Sequence, residues 1–134
     1  MDTQKKIMFA CIHNAGRSQM ATAFFNKHKT SDKVLGISAG SVPADKVHPN
    51  VVEVMAAVGI DLTNVKPQKL TKELAETVSI IVTMGCNEAC PYVPGVQVID
   101  WLIPDPKGSD ANSTLTIRDD IEERIKQFIK EQGF

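Results

Sequence analysis

The order of the apolar segments constrains this chain most. Short runs of strand length take turns with stretches of helical spacing, an order that suits a parallel sheet covered by helices. Lys5 to Ala10 reads as a buried strand after a charged start. Arg17 to Lys29 follows as a helix, with Met20, Ala21, Phe24 and Phe25 near helical spacing. Val34 to Ser38 is a second strand, closed by Ala39, Gly40 and Ser41. Pro49 opens a second helix, whose apolar face holds Val51, Val52, Val54, Met55 and Val58 and which ends at Gly59. Thr71 to Glu76 reads as a short helix capped by Thr71. Val78 to Met84 is the most strand-like run, and Val96 to Ile99 is a weaker fourth strand. Pro104, Pro106 and Gly108 make 101–113 a loop. Ile117, Ile121, Ile125, Phe128 and Ile129 then mark one face of a C-terminal helix. The expected fold is α/β, a four-stranded parallel sheet flanked by helices on both faces.

Size and charge narrow the function. At 134 residues, 43% of them hydrophobic, the chain suffices for one domain, 1–134, with its own core. Lys and Arg number 15 against 16 Asp and Glu, a net charge of −1. That balance argues against a nucleic-acid or acidic-membrane partner, since neither is held by charge without a basic surplus. The first apolar run, Ile7 to Ile12, is too short to span a bilayer or serve as a signal peptide, so a cytoplasmic protein is expected. Three cysteines are too few for a disulfide framework, which leaves reduced, chemical or buried thiols.

In a parallel α/β sheet, ligands bind where strands end and helices begin. The turn after the first strand is Cys11-Ile12-His13-Asn14-Ala15-Gly16-Arg17-Ser18. Successive backbone N–H groups from Ile12 to Arg17 can cradle an oxyanion, helped by the positive end of the following helix. Gly16 allows close approach, and Asn14 tolerates a left-handed conformation. Arg17 offers a planar fork to two oxygens of a tetrahedral anion. The same field favours a thiolate at Cys11, and Ser18 can donate to that sulfur or assist a departing group. A buried structural Cys followed by an Arg on the next helix is the plainer alternative. The strand–loop–helix setting favours the anion site.

Cys86 and Cys90 follow the third strand in Gly85-Cys86-Asn87-Glu88-Ala89-Cys90-Pro91. Zinc is disfavoured: one pair of thiols with no nearby His lacks the four ligands a structural site needs. Two small core residues remain an alternative. On one helical turn their Cα atoms would stand near the upper limit for a disulfide, so some unwinding would be needed to join them. Such a pair suits a transient, reducible bond. Asp105, between Pro104 and Pro106, reads either as a turn residue or as a carboxyl placed for proton transfer. Asp110 lies in a flexible-looking stretch and is the poorer acid. His48 reads as a helix-start residue and His28 as surface, while His13 either tunes the loop's charge or faces solvent.

The string from Cys11 to Ala21 resembles the signature of the low-molecular-weight protein tyrosine phosphatase superfamily, and its Gln19-Met20-Ala21 continuation is similar to the arsenate reductase branch. The resemblance extends through Ser38-Ala39-Gly40, Val47-His48-Pro49, Gly59-Ile60-Asp61, Val82-Thr83-Met84-Gly85-Cys86, Cys90-Pro91 and Asp105-Pro106. It implies a phosphatase-like fold and a general acid at Asp105. It also implies three thiols in relay: Cys11 as nucleophile, then Cys86 and Cys90 carrying the oxidation outward to thioredoxin or a similar dithiol protein. The expected reaction is reduction of arsenate to arsenite, without metal or organic cofactor, and with phosphate or sulfate as competitors. Phosphatases of the family place aromatic residues after the Asp-Pro pair, where this chain has Lys107 and Gly108, and its only tyrosine, Tyr92, lies elsewhere. Some members bind potassium through a glutamate where this chain has Thr22, so that site is not expected. The close spacing of Cys86 and Cys90 is similar to an actinobacterial form, some of whose members use mycothiol. Alternatives are a tyrosine phosphatase or phosphomonoesterase, an arsenate–mycothiol transferase, and a non-enzymatic oxyanion-binding redox sensor.

Overall fold

The structure, a computed structural model, describes residues 4–84, 93–106 and 109–134. Its elements run in the order β1 (Lys5–Cys11), α1 (Arg17–His28), β2 (Val34–Gly40), α2 (Pro49–Ala56), α3 (Lys72–Ala75), β3 (Ile80–Thr83), β4 (Gln97–Asp100) and α4 (Ala111–Gln132). The four strands pair in parallel in the order β2-β1-β3-β4. The expected architecture is present, with β1 in the interior of the sheet.

Alternation along β1 sorts its side chains between the two faces. Ile7, Phe9 and Cys11 join the larger core with Met20, Phe24 and Phe25 of α1, Val51 and Met55 of α2, and the isoleucines and Phe128 of α4. Met8 and Ala10 join the smaller one, with Ala39, Leu70, Ala75, Val78, Ile81 and Val93. Helices therefore cover both faces unequally: three on one, and α3 with its flanking loops on the other. Phe9 anchors the larger core, with ring centroids 5.5 Å from Phe25, 6.3 Å from Phe128 and 6.4 Å from Trp101. Burying a side chain of that size contributes about 1.5–3 kcal/mol, so the strand that ends in Cys11 is firmly seated.

Several boundaries differ from the sequence-based expectation. β1 and β2 reach Cys11 and Gly40, because each supplies the other's ladder to the end: Cys11 stands opposite Gly40. The loop expected over 101–113 stops at Asp110, whose carboxylate accepts the Ser113 amide at 2.7 Å and caps α4. Asp110 is thus a helix cap rather than part of a flexible stretch. His28, read as surface, is about three-quarters buried; its Nε2 lies 2.8 Å from Glu122 on α4, and its ring stacks on Phe24. Thr71 caps α3 as expected, accepting the Leu74 amide. Among the described residues, no helix is long and apolar enough to cross a membrane.

Candidate active site

The loop between β1 and α1 is tied down through its carbonyls. Those of Cys11, Ile12, His13 and Ala15 accept the amides of Ser41, Val42, Ala44 and His48, at 3.3, 2.8, 2.9 and 2.9 Å. The chain after β2 thus holds the outer side of the loop along its length. Among the described residues, no backbone bond is made by the amides from His13 to Gln19, and the first intrahelical bond of α1 is Met20 to Gly16. An arc of N–H donors and the positive end of a helix therefore share one spot, where an anion is stabilised. This stretch overlaps the Ile12 to Arg17 segment expected to cradle an oxyanion.

Gly40 makes the close approach possible. A Cβ on it would stand 2.6 Å from the Ile12 carbonyl and 2.7 Å from the Asn14 nitrogen. Neither backbone atom can yield without moving the loop. Asn14 turns the chain at φ 51°, in the left-handed region that Asn tolerates better than most residues. It is fully buried, and its side-chain oxygen accepts the Gln68 amide at 2.9 Å and Gln19 Nε2 at 3.2 Å. Those two donors orient the Asn14 amide, so that its Nδ2 donates to Ser18 Oγ at 2.7 Å. Ser18 Oγ in turn lies 3.0 Å from Cys11 Sγ, a contact in which either atom can donate. The order Gln19 and Gln68, Asn14, Ser18, Cys11 places a hydroxyl beside the sulfur, where it can donate to a thiolate. Cys11 is only 2% exposed, at the floor of the loop.

Arg17 closes the other side. It is 7% exposed, and its Nη1 donates to the Ile103 carbonyl at 3.1 Å. Its Nη2 lies 3.7 Å from Asp105 Oδ2, whose side chain is 42% exposed. Its Nε is buried without a hydrogen-bond partner. Leaving such a donor unmet costs about 1–3 kcal/mol, an amount an incoming oxyanion recovers. The loop after β4 therefore brings Asp105 to the guanidinium, as an acid at this site requires. Pro106 packs directly on the anion loop: a Cβ on Gly16 would stand 2.9 Å from its Cγ.

Cys11, Ile12, His13, Asn14, Ala15, Gly16, Arg17, Ser18 and Asp105 are thus gathered at the carboxyl edge of the sheet. His13 donates or accepts at Val42, 3.2 Å from its carbonyl, with its ring edge-on to His48. His48 precedes α2 as expected. Thr22 reaches the Ile37 carbonyl at 3.3 Å. Cys86, Cys90, Tyr92, Lys107 and Gly108 lie outside the described residues. Gln68 carries no reactive group and leaves no trace in the sequence; its amide bond to Asn14 and its Nε2 bond to the Ser38 carbonyl reveal it.

The family pattern described as low molecular weight phosphotyrosine protein phosphatase matches residues 6–132. An arsenate reductase from Bacillus cereus is 37% identical over 134 residues, 97% of this chain and 98% of that protein. Among solved structures, a thioredoxin-dependent arsenate reductase from Corynebacterium glutamicum is 34% identical over 96% of this chain, with a TM-score of 0.81. This chain spans 62% of that longer one. An arsenate reductase from Archaeoglobus fulgidus is 31% identical, with a TM-score of 0.80, over 92% of this chain and 98% of that one. With its sheet order, its anion cradle and its nearly full-length match in agreement, the chain belongs to the low molecular weight phosphotyrosine protein phosphatase family.

Proposed function

We propose that the protein reduces arsenate to arsenite, with Cys11 as nucleophile. One observation carries this reading: a buried thiol with a hydroxyl at 3.0 Å lies at the end of an arc of unmet N–H donors, beside a buried guanidinium with an unpartnered Nε. Such a site suits a small tetrahedral oxyanion. Relatives of nearly the same length that carry the name arsenate reductase support the choice of arsenic over phosphorus.

Arsenate sits in the cradle, and the Cys11 thiolate attacks arsenic. An S–As bond forms as an As–O bond breaks, and the departing oxygen takes a proton from Asp105 and leaves as water. Arg17 and the loop amides hold the charge of the remaining oxygens. Cys86 then attacks Cys11 Sγ. The S–As electron pair passes to arsenic, which leaves as arsenite, and the two sulfurs, now oxidised, form a disulfide. Cys90 displaces Cys11 to give a Cys86–Cys90 disulfide. Thioredoxin or a similar dithiol protein returns two electrons to it. Support for Cys86 comes from its place in the chain. The Met84 amide donates to the Ala10 carbonyl at 2.7 Å, beside the end of β1.

Phosphomonoester hydrolysis is the second reading, favoured by the fact that Cys11, Arg17 and Asp105 alone would suffice for it. One experiment separates the two. Arsenite formation is followed with thioredoxin and its reductase, and with low-molecular-weight thiols instead, for the intact chain and each Cys→Ser variant. Loss of thioredoxin-driven reduction in Cys11→Ser, Cys86→Ser and Cys90→Ser is the expected result. Phosphatase activity without arsenite in the intact chain would overturn the proposal. Activity with mycothiol alone, insensitive to Cys90→Ser, would make the protein a transferase.

A further inference from the structure

Resting on Asp105 as the acid of that reaction, we propose that Asn50 is a positioning residue that latches the Asp105 loop onto the anion loop. The observation is a convergence of donors on one backbone oxygen. The Pro106 carbonyl accepts the Ser109 amide at 3.0 Å, the Ser109 hydroxyl at 2.8 Å and Asn50 Nδ2 at 2.8 Å. Ser109 closes a local turn with its two bonds. Asn50 comes from the first turn of α2, 56 positions away in sequence, so its bond does what the local turn cannot.

The same Nδ2 reaches Thr114 Oγ1 at 3.2 Å. Thr114 is fully buried in the first turn of α4, and its hydroxyl lies 2.6 Å from that of Ser109. One side-chain amide therefore joins α2, the acid loop and α4. On the opposite side, the Pro106 ring rests on Gly16, where even a methyl group would meet it at 2.9 Å. Pro106 is clamped between the Asn50 amide at its carbonyl and the anion loop at its ring.

Asp105 is the residue before Pro106 and inherits that placement. Its carboxylate also pairs with Arg17 at 3.7 Å, at a position 42% exposed, where an ion pair is weak in water. The backbone latch thus sets the direction of the acid, and Asn50 acts on the reaction through Asp105 without touching substrate.

The test compares arsenate reduction in the intact chain, Asn50→Ala, Asp105→Asn and the double variant. Loss of one positioning hydrogen bond is expected to lower kcat about tenfold, with KM for arsenate little changed. Added to Asp105→Asn, the same substitution should cost nothing further, because the acid it positions is gone. A readout that needs no turnover is alkylation of Cys11 by iodoacetamide, followed on its peptide by mass spectrometry. As the loop lifts from Gly16, that rate should rise about tenfold. An unchanged kcat, or an equal loss with and without the Asp105 carboxyl, overturns the proposal. Should the intact chain form no arsenite, the functional reading falls, and the alkylation rate alone then upholds or overturns the latch. Asn50→Leu, close in size but without a donor for the Pro106 carbonyl, carries the test if Asn50→Ala does not fold.

Discussion

The two loops that meet at Cys11 are held in different ways. The anion loop is woven into the sheet: four of its carbonyls are bonded by the chain after β2, its asparagine is fully buried, and Gly40 leaves no room beneath it. The acid loop crosses the rim. Leu102 is 89% exposed, the Asp105 carboxylate is 42% exposed, and the backbone is secured at Ile103 and Pro106. The difference fits the chemistry proposed for each. A cradle for an oxyanion gains from donors fixed before substrate arrives, since they need not reorganise as charge develops. An acid that gives up a proton and regains it needs contact with water between turnovers.

That contrast can be broken from either side, and the anion loop should break hardest. Arg17→Lys keeps the charge but loses the planar fork and the Nη1 bond to Ile103. Turnover should fall by about 10²–10³, with a matching loss of phosphate affinity, measured by kcat/KM for arsenate and by competition with phosphate. Asp105→Asn should sharpen the comparison instead. Its cost should be about 10² in kcat, while phosphate inhibition stays near that of the intact chain, because the cradle is untouched. A loss of anion affinity as large as the loss of rate would show that the two loops are one unit.

The smallest effect concerns the far end of the acid loop. The Asp110 carboxyl is held below its ordinary value, first by the Ser113 amide and then by the Ser113 hydroxyl. A depressed carboxylate stabilises the fold above its unfolded pKa and loses that contribution as pH falls through the folded one. Asp110→Ala should therefore lower Tm slightly at neutral pH, and the gap should close on acidification below the ordinary 3.8. A gap that persisted in strong acid would show that the cap works without its charge.

Local chemistry was the most legible part of the chain. Cys11, Asn14, Gly16, Arg17 and Ser18 lie within one turn, so their types and spacing carry the roles proposed for them. The succession of strands and helices along the chain also follows from the pattern, whereas the order β2-β1-β3-β4 within the sheet does not. What escaped is what depends on distant partners. Gln68 meets Asn14 54 positions away, and His28 meets Glu122 94 positions away; neither spacing leaves a periodic trace. The start of α4 was missed for a different reason. In its first turn only Thr114 is buried, so the apolar rhythm begins a turn late, at Ile117. Asn50 was hidden likewise: a polar residue near the start of a helix looks like ordinary solvent-facing sequence.

Gly40, opposite the nucleophile across the β1–β2 ladder, has a consequence for how such a chain can vary. The position carries no functional group, yet any replacement there displaces a peptide of the cradle. Drift can rewrite the outer helices one methyl at a time while the chemistry survives. At residue 40 the only tolerated side chain is a hydrogen atom, so a silent-looking change of one letter would be read by the protein as damage to its reactive centre.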